Sequence, residues 1–87
     1  MVIVFIPPEL RDLTGGVEQI EVAASTVRQV VAALDALYPG IHERLCADDG
    51  LRPGLAVAVN GTISSIGLLH KTPESAEVHF LPAITGG

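Results

Sequence analysis

An α+β roll, with a mixed sheet of four to five strands covered on one face by one main helix, is the fold this sequence predicts. Three observations carry that prediction. Short β-branched and aliphatic runs stand at residues 2–6, 55–59 and 77–81. One stretch, from Val27 to Leu37, shows helical spacing of its apolar residues. The elements run strand, strand, helix, then strands, so the helical stripe has only a sheet face to pack against.

Val2-Ile3-Val4-Phe5-Ile6 is stopped by Pro7-Pro8 and reads as a buried strand. Glu9 to Gly16 reads as a loop punctuated by Gly15-Gly16. Over residues 17–23, Ile20 and Val22 point one way and Gln19 and Glu21 the other, the period of a half-buried strand. These two strands make an antiparallel hairpin. Thr26 is suited to cap a helix, and Gln29 stands three residues on, at capping-box spacing. Val27, Val30, Val31, Leu34 and Leu37, with Ala33, form one apolar stripe, while Arg28, Gln29 and Asp35 face away.

Tyr38-Pro39-Gly40 stops the helix, because proline cannot continue it. Ile41 to Cys46 reads as a short second helical turn, and Ala47 to Gly54 as a polar loop. Leu55, Val57 and Val59 share one face of the next strand, and Asn60-Gly61 is a hairpin signal, with Thr62-Ile63 pairing back briefly. The remainder of residues 62–72 shows no clear pattern. Pro73 to Ala76 turns the chain into the last strand, Glu77 to Leu81. There Val78 and Phe80 face one side, and His79 and Leu81 the other. Pro82 is expected to end regular pairing. This order is that of a β-grasp roll, whose first and last strands lie parallel at the centre. Residues 1–82 then form the domain and residues 83–87 a tail aimed off its last strand.

Composition narrows the function classes. The chain has 87 residues, 48% of them hydrophobic, which argues for one packed domain. Phe5, Tyr38 and Phe80 are its only aromatic residues, so the core has to be aliphatic. A net charge of −5 argues against nucleic acid, which needs clustered Lys and Arg, and suits a basic protein partner. One cysteine, Cys46, excludes an intrachain disulfide and suits a cytoplasmic setting. No apolar run approaches the ~18–20 residues of a membrane-spanning helix, and no basic leader precedes the first strand.

The sequence ends in Thr85-Gly86-Gly87. Glycine carries no Cβ, so such a stem threads a channel that any side chain would block. It delivers a main-chain carboxylate to another protein's active site. Fully extended, Ala83 to Gly87 spans roughly 16–18 Å. The plain alternative is an ordinary frayed terminus.

With these elements in place the chain resembles the MoaD/ThiS family of ubiquitin-like sulfur carriers. The most specific part is Glu77-Val78-His79-Phe80-Leu81-Pro82-Ala83-Ile84-Thr85-Gly86-Gly87, similar to the family's final strand and tail. Val59-Asn60-Gly61 and the segment from Thr26 to Ile41 resemble its strand-turn and helix. Ile6-Pro7, Leu10-Arg11, Thr14-Gly15-Gly16 and Gly40-Ile41-His42-Glu43-Arg44-Leu45 are closest to the CysO branch. Two features depart from the pattern: Ser75-Ala76 stands where members usually have Gly-Asp, and residues 62–72 are abbreviated.

The resemblance implies a carrier, not an enzyme. An E1-like adenylyltransferase/sulfurtransferase, which holds the ATP and Mg²⁺, would adenylate the Gly87 carboxylate and replace AMP by sulfur. A sulfur-accepting synthase would take the resulting thiocarboxylate. Gly86 would supply passage and Gly87 the reacting group. No catalytic side chain, bound cofactor, metal or membrane contact is implied. Cysteine synthesis leads as the pathway, then molybdopterin synthesis with this chain as small subunit, then thiamine or another sulfur-containing metabolite. A protein modifier joined to lysines uses the same adenylate, and a stand-alone interaction domain is the plain alternative.

His79 and Leu81 are expected on the open sheet face beside Ala56 and Ala58. Leu81 is expected to dock the activating enzyme, with His79, Pro82, Ala83, Ile84 and Thr85 completing the contact. Cys46 reads as a small, partly buried residue beside a loop. His42, Cys46, His70 and His79 match no zinc spacing, and Asp48-Asp49-Gly50 lacks the rest of a calcium loop, so it reads as a turn.

Overall fold

The computed structural model describes residues 1–48 and 50–82. A five-stranded sheet has the order β2-β1-β7-β5-β6, built from β1 (Val2–Phe5), β2 (Gln19–Val22), β5 (Leu55–Val59), β6 (Thr62–Ile63) and β7 (Glu77–Pro82). β1 pairs antiparallel with β2 and parallel with β7, and β7 pairs antiparallel with β5. The parallel pair of first and last strands is therefore as the sequence predicts. Two two-residue strands, β3 (Cys46–Ala47) and β4 (Gly50–Leu51), make a separate small ladder, which takes Cys46 from the expected helical turn and the rest from the stretch read as a polar loop.

The main helix, α1, runs over Val27–Leu37. Thr26 Oγ1 accepts the Gln29 N–H at 3.3 Å. The Gln29 side chain reaches one residue further back than a capping box requires. Its Oε1 accepts from Ser25 N–H at 2.7 Å and from the Ser25 hydroxyl at 2.8 Å. Val27, Val30, Val31 and Leu34 are buried against the sheet. Leu37 is not: 55% of it is exposed. The chain turns at Gly40, which has φ 101°, and Ile41, fully buried at the start of α2 (Ile41–Leu45), fills the core beyond Leu34. Asp35 holds that corner, its Oδ1 accepting the N–H groups of Gly40 and His42 at 3.1 Å each.

The sheet's inner face completes an aliphatic core. Val2, Val4, Val22, Val57, Val59, Val78 and Phe80 are all buried there. The loop after β6, opaque in the sequence, is organised by Ser64. Its Oγ accepts the N–H groups of Ile66 and Gly67 at 3.1 and 3.0 Å, and lies 2.8 Å from His70 Nδ1. Both hydroxyl lone pairs are thereby engaged, which leaves the Ser64 proton to point at His70. Asn60 and Gly61 take positive φ angles of 52° and 82° in the two-residue β5–β6 hairpin.

Ser75, at the place where a glycine is usual, takes φ 63°. A left-handed non-glycine residue costs roughly 1–2 kcal/mol. The turn is held despite that cost by the Ser75 N–H bonding to Met1 O at 3.0 Å, and by an ion pair between the Met1 amino group and Glu74.

Candidate functional site: the open sheet face and the end of the last strand

β7 is flanked on both sides, and the registers fix its parity. Phe5 lies opposite His79 on the β1 side, while Ala58 lies opposite His79 and Ala56 opposite Leu81 on the β5 side. Val78 and Phe80 therefore enter the core, and Glu77, His79 and Leu81 line the face away from α1. The small side chains of Ala56 and Ala58 form a low floor beside Leu81 and His79, as the sequence predicts.

The face is more apolar than the sequence suggests. Ile3 and Phe5 alternate out of the core on β1, and Ile63, opposite Ala58, is 61% exposed. The Phe5 ring stacks on His79 with centroids 4.1 Å apart and planes 7° from parallel. This contact fixes the plane of His79, whose Nε2 lies 3.9 Å from Glu77 Oε1. The sequence reading missed Ile3 and Phe5, because a wholly apolar strand shows no alternation to read, and Ile63, because its strand of two residues is too short to show any. The one available signal was parity, since any strand neighbouring β7 must share its inside and outside positions.

β1 ends at Phe5, whereas β7 runs on to Pro82, paired there only with Leu55 of β5. Pro82 thus closes the ladder one position later than expected. Beside this end a cleft of about 350 Å³ is lined by Phe5, Ile6, Pro7, Arg11, His79 and Phe80, among others. Arg11 Nε donates to Ile6 O at 3.3 Å, and its Nη2 lies 3.9 Å from Glu18. The expected contact residues His79, Leu81 and Pro82 are thus brought together at one end of the sheet. Ala83, Ile84, Thr85, Gly86 and Gly87 lie outside the described residues, as does Asp49 of the expected Asp48-Asp49-Gly50 turn.

Cys46 is more deeply buried than expected, 5% exposed. Burial pushes its thiol up, and the nearby Arg28 guanidinium opposes the rise. Among the described residues there is no group of three or more metal-ligating side chains, and no helix long and apolar enough to cross a membrane.

This geometry has close relatives. The ThiS family matches residues 4–87. The sulfur carrier protein CysO of Mycobacterium tuberculosis is 37% identical over 93 residues, covering 99% of this chain and 98% of that protein. A chain of the Amycolatopsis orientalis BexX/CysO complex superposes with a TM-score of 0.90 at 30% identity, with both chains fully covered. The crystal structure of M. tuberculosis CysO gives 0.87 at 32% identity, over 97% of this chain and 100% of that one. SAMP1 from Haloferax volcanii shares the fold at a TM-score of 0.71 and 24% identity, covering 99% of this chain and 98% of that one. The β-grasp roll read from the order of elements is therefore correct, and the chain belongs to the ThiS family.

Proposed function

We propose that this chain is a sulfur carrier whose reacting group is the carboxylate of Gly87. The observation that carries this reading is the family match, which runs through residue 87, together with 37% identity to a sulfur carrier protein over nearly the full length of both. The chemistry explains each step. A terminal carboxylate with a pKa of about 3.3–3.7 is ionised at neutral pH and is a poor electrophile. An E1-like enzyme holding ATP and Mg²⁺ converts it to an acyl adenylate with loss of pyrophosphate. Sulfide-level sulfur from a donor then attacks the acyl carbon, and the C–S bond forms as the C–O bond to AMP breaks, which leaves a thiocarboxylate. A synthase accepts that sulfur, held at high effective concentration by the tethered tail. Cysteine synthesis is the favoured pathway, in keeping with the likeness to CysO. We assign the carrier to the cytoplasm, in keeping with its one free thiol.

The open face supports the docking half of the proposal. Leu81 projects beside Ala56 at the end of the strand that leads into the tail, and apolar residues on an open face favour partner contact. Incubated with its activating enzyme, the protein is expected to promote ATP–pyrophosphate exchange. Leu81→Asp is expected to slow that exchange about tenfold, the cost of burying an unpaired charge at an interface, while the melting temperature stays within a few degrees. No exchange with the unaltered protein would contradict the carrier reading. An unchanged rate with Leu81→Asp would contradict the docking role alone.

A further inference from the structure

On the helix side of the molecule, away from the face that carries His79 and Leu81, a second cleft of about 110 Å³ lies between α1, α2 and the 3-10 turn Gly67–Leu69. Its lining has two parts. Val31, Leu68 and Cys46 are buried and make an apolar floor, whereas Arg28, Ala32 and His42 are exposed and make the rim. The size suits a branched aliphatic side chain, since an apolar cavity of about 150 Å³ takes up benzene.

Charge selects the rest of the occupant. The chain carries ten acidic residues against five Lys and Arg, yet no carboxylate among the described residues lines this cleft. Arg28 stands close enough to act on the Cys46 thiol, and it forms no ion pair among the described residues. Asp35, on the same helix, is committed to the backbone N–H groups of Gly40 and His42. A single cation unpaired among the described residues, Arg28, beside an apolar floor on an otherwise acidic protein is complementary to an apolar group that carries a neighbouring negative charge.

We propose that this cleft is a docking site for an acidic segment of a partner protein, which seats one branched aliphatic side chain in the pocket and an adjacent carboxylate on Arg28. The site is separate from the sulfur-carrier reading and does not depend on it. α1 covers the inner face of the sheet, so a partner held here leaves the outer face and the end of β7 accessible.

The probe is a capped leucyl-aspartyl dipeptide, titrated into isotope-labelled full-length protein and followed by amide chemical shifts. Capped leucyl-asparaginyl and alanyl-aspartyl dipeptides serve as controls. The expected result is saturable shifts at Val31, Ala32, His42 and Leu68, with about tenfold weaker binding for either control and for Arg28→Gln, the loss of one charge-assisted contact or of the apolar group. Ala32→Phe, an exposed change that fills the rim without touching the core, is expected to abolish the shifts. No saturable shifts at these residues, equal binding of the controls, or undiminished binding by either variant would overturn the proposal.

Discussion

Removal of Gly86 and Gly87 is expected to abolish ATP-dependent thiocarboxylate formation, with no detectable product in a sulfur-transfer assay, while leaving the thermal melt of the domain unchanged. The two halves of this result have separate physical causes. Among the described residues the core is built from residues between Val2 and Phe80, and glycine has no side chain to contribute to it. The proposed chemistry, in contrast, rests on a carboxylate carried by a stem without side chains, and truncation leaves Thr85 in its place. Retained binding to the activating enzyme with no transfer is the expected pattern, because the proposed docking surface is the sheet face. Retained transfer would show that the reacting group lies elsewhere in the chain.

Leu34→Ala is expected to carry the largest stability cost among single changes in the helix, about 3 kcal/mol, within the 2–5 kcal/mol typical of buried leucine truncations. Leu34 is fully buried between α1 and the sheet, in a core whose aliphatic side chains leave little to collapse into the gap. Against a total stability of about 5–15 kcal/mol this is a large fraction. For a chain of this size it should lower the melting temperature by roughly 12–24 °C. Leu37→Ala provides the contrast, because Leu37 is 55% exposed, and should change stability by no more than about 0.5 kcal/mol. Equal destabilisation by the two substitutions, measured by denaturant titration, would contradict the packing described for α1.

The difference between those two leucines marks where the sequence is legible. Helical spacing identifies α1, its cap at Thr26 and its buried stripe as far as Leu34. It assigns Leu37 to the same stripe, because periodicity registers direction around the helix axis and not the place where the underlying sheet ends. The last strand is equally legible, since a polar residue at His79 between Val78 and Phe80 fixes its parity.

β1 is legible as a strand but not as a surface. Ile3 and Phe5 have the same apolar character as Val2 and Val4, and only pairing with β7 shows that they face outward. The turn Gly67–Leu69 and the ladder of β3 and β4 depend on contacts formed after folding, such as Ser64 with His70 and β4 beside the turn itself. The helix-side cleft is of the same kind. Arg28, His42 and Cys46 are unremarkable apart in sequence and meet only when α2 packs beside α1.

The candidate site divides along the same line. Leu81 and His79 are legible as outward residues of the last strand, and the small floor of Ala56 and Ala58 follows from antiparallel pairing. The stacking of Phe5 on His79 is not legible, because a parallel neighbour 74 positions away in the chain leaves no local pattern.

Intact-mass and fragmentation analysis, after incubation with the activating enzyme, ATP and a sulfur donor, decides whether Gly87 carries the sulfur. Replacement of one oxygen by sulfur adds about 16 Da, nominally the same as oxidation of Met1 or Cys46, so fragment ions have to locate the added mass. The expected result is an ATP-dependent shift that maps to Gly87. A mass that always matches the free acid under these conditions, or an added mass located on Met1 or Cys46, would contradict it.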